Sequence, residues 1–244
     1  PKEKKWYPAD LVASAREILQ LWIARMIFSG KFFMKKAPFK IAFIHPTVLT
    51  KEGKRMSKSL GIGIDPLELI GKYGTDALRF GLLWQMSAHQ DLRFDETPID
   101  QGKKFLNKIW NAYRFYFLTI DKSALPAGRQ GFTQINKRGF RQTSHNSLSS
   151  ADKKILASLK TTKKFVDRKI KDFELGLALK KIYKFFWHEL CDIYLETWKG
   201  ETKNNPQVFT QVMFESLKLL HPFLPHLTQL IYFSFGQKKP LFFE

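Results

Sequence analysis

Gly53-Lys54-Arg55-Met56-Ser57-Lys58-Ser59-Leu60-Gly61-Ile62-Gly63 is a glycine-flanked loop with three cations, two hydroxyls and no acid. Upstream lies Ile41-Ala42-Phe43-Ile44, a short apolar run bounded by Lys40 and His45-Pro46, which reads as a buried strand. Thr50-Lys51-Glu52-Gly53-Lys54 is a polar turn between the two. Downstream, Asp65-Pro66 starts a helix, with Asp65 as N-cap and Pro66 at the first helical position. A loop of this composition in this setting suits phosphate. Glycines let backbone N–H groups approach the oxygens, Ser57 and Ser59 add donors, and lysine supplies a compact charge. The glycine spacing fits neither a Walker P-loop nor a dinucleotide fingerprint. The plain alternative is a solvated basic loop.

Outward from the loop, residues 1–96 read as mixed α/β. Leu11, Ile18, Leu19, Trp22, Ile23, Met26 and Ile27 fall near one face at helical spacing, which predicts a helix over Leu11 to Phe28. Gly71, Gly74 and Asp76 lead to a further helix through Leu78, Phe80 and Leu83. From Asp100 the strong patterns are helical. Phe105, Ile109, Tyr113 and Phe117, with Trp110 beside them, mark a core face, and Lys104, Asn107, Lys108, Asn111 and Arg114 share the other. Residues 123–150, rich in Gly, Ser, Thr, Asn and Gln, carry Arg129, Lys137, Arg138 and Arg141 and no acid, and read as a flexible basic linker. Helices are then expected over 151–171, 173–199 and 207–220, with a short one after Pro225. The stripe Leu177, Ile182, Phe186, Leu190 and Ile193 argues an antiparallel bundle.

At 244 residues the chain holds one to two domains of about 150 residues each. Its apolar content of 44% excludes wholesale disorder. Cys191, the one cysteine, excludes an intrachain disulfide framework and any Cys-cluster metal site, and no protein-bound metal is expected. A single cysteine also fits a reducing cytosol, so a cytoplasmic location is expected. The net charge of +19 concentrates in residues 97–244, where 25 basic and 12 acidic residues leave +13, the footprint of a polyanion binder. Leu219 to Gln237 lacks formal charge, but Pro222 and Pro225 would break a helix there, so a buried helix–turn–helix is expected and no membrane span.

Arg55-Met56-Ser57-Lys58-Ser59 resembles the KMSKS signature of class I aminoacyl-tRNA synthetases, with arginine for the first lysine. Ile64-Asp65-Pro66-Leu67-Glu68-Leu69-Ile70 and Lys72-Tyr73-Gly74-Thr75-Asp76-Ala77-Leu78-Arg79-Phe80 are similar to the helices that follow it in the valyl, isoleucyl and leucyl group. Within that group the valyl strings fit best. Leu21-Trp22-Ile23-Ala24-Arg25-Met26-Ile27 resembles W-x-A-R-M-I, His89-Gln90-Asp91-Leu92-Arg93-Phe94 resembles Q-D-I-R-F, and Phe105-Leu106-Asn107-Lys108-Ile109-Trp110-Asn111 resembles F-x-N-K-L-W-N. Trp187 to Asp192 and Leu220 to Pro225 fall where that family has anticodon-binding helices. The chain departs from the pattern at Thr228-Gln229-Leu230-Ile231-Tyr232, and none of its six histidines begins an H-x-G-H or H-x-G-N string.

The resemblance implies the carboxy-terminal region of such an enzyme. The expected fold is the α/β remainder of a Rossmann-like catalytic domain over 1–96, a stem-contact helix over 97–122, the linker 123–150, and an all-α anticodon-binding helical bundle over 151–244. The implied reaction is attack of the valine carboxylate on the ATP α-phosphate, followed by transfer to the terminal ribose of tRNA(Val). Mg2+ accompanies the ATP. Lys58 is implied as the catalytic cation on the leaving pyrophosphate, with Arg55, Met56, Ser57, Lys58 and Ser59 binding ATP. Glu17 falls where the valyl family carries an aspartate that receives the substrate ammonium, and Trp22 would wall the side-chain pocket. Their alternatives are a solvated Glu17 and a core Trp22. Lys104, Asn107, Lys108, Asn111 and Arg114 are candidate tRNA contacts, with a solvated helix face as their alternative. Further partners are the amino-terminal catalytic and editing regions of a parent enzyme, and a monomer is expected. An isoleucyl or leucyl fragment, and a stand-alone tRNA-binding module without catalysis, remain the other readings.

Overall fold

The computed structural model describes residues 6–56, 61–86, 90–120, 148–200, 205–235 and 240–241. Its chain forms two compact units, Pro1–Ile64 with Met86–Phe94, and Asp65–Gln85 with Asp95–Glu244.

In the first unit, strand β1 (Ala9–Ala15) pairs in parallel with β2 (Phe39–His45), Ala9 facing Phe39 and Ala15 facing His45. A parallel pair needs a crossover, supplied by a 3₁₀ turn (Arg16–Ile18), a π-helical stretch (Leu19–Ala24) and helix α1 (Arg25–Met34). The helix expected over Leu11 to Phe28 is therefore corrected: its first five residues are strand. Leu11-Val12-Ala13-Ser14-Ala15 is apolar or small enough to read at either period, and pairing with β2 decides it. The Ile41–Ile44 run is a strand, as expected, but not a buried one, since Ile41 is 47% exposed. Lys35, in the left-handed region at φ 55°, ends α1. Strands β3 (Val48–Leu49) and β4 (Leu92–Arg93) form a second parallel pair.

The second unit opens with helices α2 (Pro66–Tyr73) and α3 (Thr75–Gln85). Asp65 accepts from the Leu67 N–H at 2.8 Å and Pro66 sits at the first helical position, as read from the sequence. Helix α3 lies along α4 (Thr97–Ile120) at very close range: a Cβ on Gly81 would fall 2.4 Å from Ile99, and one on Gly102 would fall 2.9 Å from the Phe80 ring. Phe105, Ile109, Tyr113 and Phe117 are buried along α4. Trp110, expected on that face, is instead 40% exposed, because one residue past Ile109 turns about 100° around the axis.

Ser149 caps α5 (Ser150–Lys171) in a reciprocal box with Asp152, so the last residues of the expected linker belong to a helix start, and residues 121–147 lie outside the described ones. Helix α6 (Leu175–Lys184) continues through a π-helical stretch (Phe185–Tyr194) into α7 (Leu195–Gly200). Ile182, Phe186 and Leu190 are buried there, but Leu177 and Ile193 point out, Ile193 at 63% exposure. Leu177 stands five residues before Ile182, which is about 140° around a regular helix, whereas Ile193 lies in the π stretch, where each residue turns through less angle and a stripe drawn at 3.6 residues per turn drifts off the core. Helices α8 (Pro206–Leu220) and α9 (Pro225–Ser234) complete the unit, separated by the turn that holds Pro222. No helix among the described residues is long and apolar enough to cross a membrane.

Candidate functional site

The loop leaves β3 through a tight turn. The Thr50 N–H donates to the Lys54 carbonyl at 2.8 Å, and the Gly53 N–H donates back to the Thr50 carbonyl at 3.0 Å. Gly53 closes the turn at φ 82°, which glycine adopts without the penalty of a Cβ. The chain then returns beside β3, with Arg55 in an antiparallel bridge to Leu49. The backbone of Arg55 is thus held by the sheet, while its guanidinium reaches away: Arg55 Nη2 donates to Glu17 Oε2 at 2.7 Å. Met56 is half-buried. Ser57, Lys58 and Ser59 lie outside the described residues.

Glu17 sits on the 3₁₀ turn directly after β1, so the register of β1 against β2 sets its position. Trp22 lies on the π-helical stretch and is 57% exposed, and it is its neighbour Ile23 that is buried. Glu17 is not simply solvated, since it holds Arg55.

Two further groups at the loop escaped the sequence reading. Pairing of β4 with β3 places the Arg93 guanidinium 3.6 Å from the position a Cβ would take on Gly53. Asp91 accepts from the Thr47 N–H at 3.1 Å and lies 3.6 Å from Arg16, tying the start of β4 to the strand ends. The string Asp91-Leu92-Arg93-Phe94 was visible in the sequence, but a cation 38 residues from Arg55 has no local signal that places it at the same turn.

Along α4 of the second unit, Asn107, Asn111 and Arg114 are exposed. Lys104 is exposed too but pairs with Asp100 at 2.7 Å one turn earlier, and that hydrogen bond raises its pKa, keeping it charged. Lys108 is different. It binds Asp192 at 2.9 Å and lies 5.2 Å from the Trp187 ring centre, so it joins α4 to the π-helical stretch. Desolvation would raise the Asp192 pKa, but hydrogen bonds from Lys108 and His188 outweigh it and hold it below the usual carboxylate value. Of the five candidate tRNA contacts, four face solvent and Lys108 has a structural partner. Nearby Cys191 is buried and its thiol is pushed up to about 12, so it stays protonated and inert. Among the described residues no cluster of His, Cys, Asp or Glu could hold a metal ion.

Helix α3 also grips the α8–α9 turn. The buried Asp76 carboxylate accepts from the Leu227 N–H at 2.7 Å and the His226 N–H at 3.3 Å, capping α9 from a distant part of the chain. Arg79 donates to the carbonyls of Pro222 at 3.0 Å and Phe223 at 3.2 Å.

Comparison with known proteins finds a family match at each end of the chain. Residues 1–95 match the family described as tRNA synthetases class I (I, L, M and V), and residues 152–244 match the anticodon-binding domain of tRNA ligase. The chain is 40% identical over 242 residues to the valine--tRNA ligase of Clostridium tetani, covering 96% of this chain and 26% of that protein. It is 37% identical over 231 residues to that of Thermotoga maritima, covering 93% and 25%. The chain thus spans about a quarter of the length of these relatives. Among solved structures it resembles the ternary complex of Agrobacterium radiobacter K84 agnB2 LeuRS with tRNA and LeuAMS, at a TM-score of 0.74 and 18% identity over 96% of this chain and 28% of the other. Mycobacterium tuberculosis methionyl-tRNA synthetase bound by methionyl-adenylate gives 0.70 and 20%, over 96% and 46%. At these identities the likeness is one of fold.

Proposed function

We propose that this chain belongs to the class I tRNA synthetases and is the carboxy-terminal part of a valine–tRNA ligase. The observation that carries this reading is the 40% identity to a valine--tRNA ligase across 96% of the chain, with Arg55 held beside the end of β3. The substrates are then ATP with its Mg2+, valine and tRNA(Val). A cytoplasmic monomer fits the reading.

The chain's own residues have separable tasks. Leu49 and the Thr50–Lys54 turn hold the backbone of Arg55, and Arg55 with Arg93 makes the mouth of the loop positive. During adenylation negative charge moves onto the leaving pyrophosphate, and Lys58 supplies a cation that strengthens its hold as that charge develops. Trp22, exposed on the crossover, is left available to line the valine side chain. Asn107, Asn111, Arg114 and Lys104 offer donors to tRNA phosphates, which position the RNA without specifying sequence.

The test is ATP–pyrophosphate exchange by the complete ligase containing this sequence, with valine, isoleucine and leucine in parallel. Valine should drive the exchange, and a faster exchange with isoleucine or leucine would reassign the enzyme within its class. The isolated 244-residue chain should give none above background, because a single phosphate-gripping string was found in it. Valine-dependent exchange by the isolated chain would overturn that division of labour.

A further inference from the structure

Two positions near the loop where this chain departs from the family it resembles, arginine at 55 for lysine and glutamate at 17 for aspartate, are bound to each other at 2.7 Å. We propose that Glu17 is a positioning residue for the phosphate grip: it holds the Arg55 guanidinium by one edge so that its remaining N–H donors meet an incoming polyphosphate. The proposal rests on reading residues 53–63 as the ATP-binding loop.

Both ends of the pair are anchored by backbone. Arg55 is bridged to Leu49 after a closed turn, and Glu17 follows β1 without a break. The contact therefore fixes the direction of a side chain whose base is already fixed. Its side chains are 70% and 36% exposed, so the pair does little for folding stability, as is usual for solvated ion pairs. Chemistry explains why a carboxylate at 17 suits an arginine at 55. An ammonium is one compact charge and tends to sit on one anion, whereas a guanidinium presents five donors in a plane and can address a carboxylate with one edge and phosphate oxygens with another. Only Nη2 is engaged by Glu17 here. Pre-ordering of a long side chain removes part of the entropy cost of binding. The negative charge that Glu17 adds is offset by Arg93 of β4, whose guanidinium lies beside Gly53 of the turn.

Inorganic pyrophosphate is the probe, titrated calorimetrically into the 244-residue chain at low salt. Glu17→Gln should weaken binding about two- to fivefold, within the span of exposed ion-pair couplings. Arg55→Lys should weaken it as well, and in that background Glu17→Gln should cost nothing further, since no fork remains to be held. A structural role for Glu17 would instead shift the melting temperature equally in both backgrounds and leave the affinities additive. Equal or tighter binding by Glu17→Gln would mean that the carboxylate competes with the anion, which overturns the proposal while the loop reading stands. No saturable binding by the unaltered chain would remove the phosphate reading itself, and the proposal with it.

Discussion

Asp76 and Lys58 lie 18 residues apart, and their weight falls on different quantities. The Asp76 carboxylate is buried and satisfies two N–H groups at the start of α9, which has no side-chain cap of its own at Leu224. Asp76→Ala should therefore destabilise the helical unit by about 1–3 kcal/mol, the range for losing a cap and leaving buried donors unpaired. Urea unfolding followed by far-ultraviolet circular dichroism measures this, and a change below about 0.5 kcal/mol would mean that water replaces the carboxylate. Lys58 should leave stability alone and act on rate. In the complete ligase Lys58→Ala should lower the adenylation rate about 10²- to 10³-fold with the KM for valine nearly unchanged, because its charge matters most in the transition state. A raised KM at an unchanged rate would make Lys58 a ground-state contact. Neither role could be separated from a solvated residue by composition. The KMSKS resemblance singled out Lys58, whereas nothing local in Gly74-Thr75-Asp76 announces a partner 150 residues away.

At the scale of elements, the α8–α9 turn carries a group that responds to pH. His221 ends α8, and its Nδ1 lies 2.8 Å from the Thr228 hydroxyl. Burial lowers its pKa below the usual 6.5, and the nearby Asp76 charge opposes that without reversing it. The folded chain thus prefers the neutral ring. In the unfolded chain the ring takes its proton near pH 6.5, so below that value the unfolded state binds more protons and stability falls until the folded pKa is passed. The urea midpoint should accordingly drop as the pH falls through about 6.5, and His221→Gln should flatten that drop. Equal slopes in the two proteins would assign the pH dependence to other groups. The α6–α7 helix makes a different point at the same scale. Its existence and length follow from local pattern, but its π-helical middle carries Ile193 off the core.

At the scale of the molecule, the division of the chain decides which piece can be studied alone. Charge and pattern alone would cut it at residue 97, but α2 and α3 pack into the helical unit, where Phe80 is fully buried and Gly81 and Gly102 admit close approach. A 65–244 fragment should fold and bind tRNA. A 97–244 fragment should lose its cooperative transition, since it strips the cover from Ile99 and Phe105. Calorimetry of the two compares them directly, and matching transitions would make α3 dispensable. With about five phosphates neutralised, log affinity of the longer fragment against log salt should have a slope between roughly −3.5 and −4.5. Any RNA gives such a slope. Competition between tRNA(Val) and the same tRNA with a replaced anticodon is the discriminating arm, because each lost stacked base costs about 1–3 kcal/mol. Indistinguishable binding would leave a non-specific basic clamp.

Local chemistry accounts for what the sequence determined by itself. Asp65-Pro66 and Pro206 start helices because a cap and a fixed φ act within a few residues, and Phe105, Ile109, Tyr113 and Phe117 share a face because helical geometry leaves them nowhere else to go. The glycine-flanked basic loop and the family strings belong to the same local record. Tertiary structure decided the rest. Ala9–Ala15 is strand because β2 offers a parallel edge, Lys108 is engaged because Asp192 comes to meet it, and Arg55 is held because the crossover brings Glu17 to the turn. Each of these depends on a partner tens of residues away. Its free energy is gained only when the chain is closed on itself, so no window of sequence contains it.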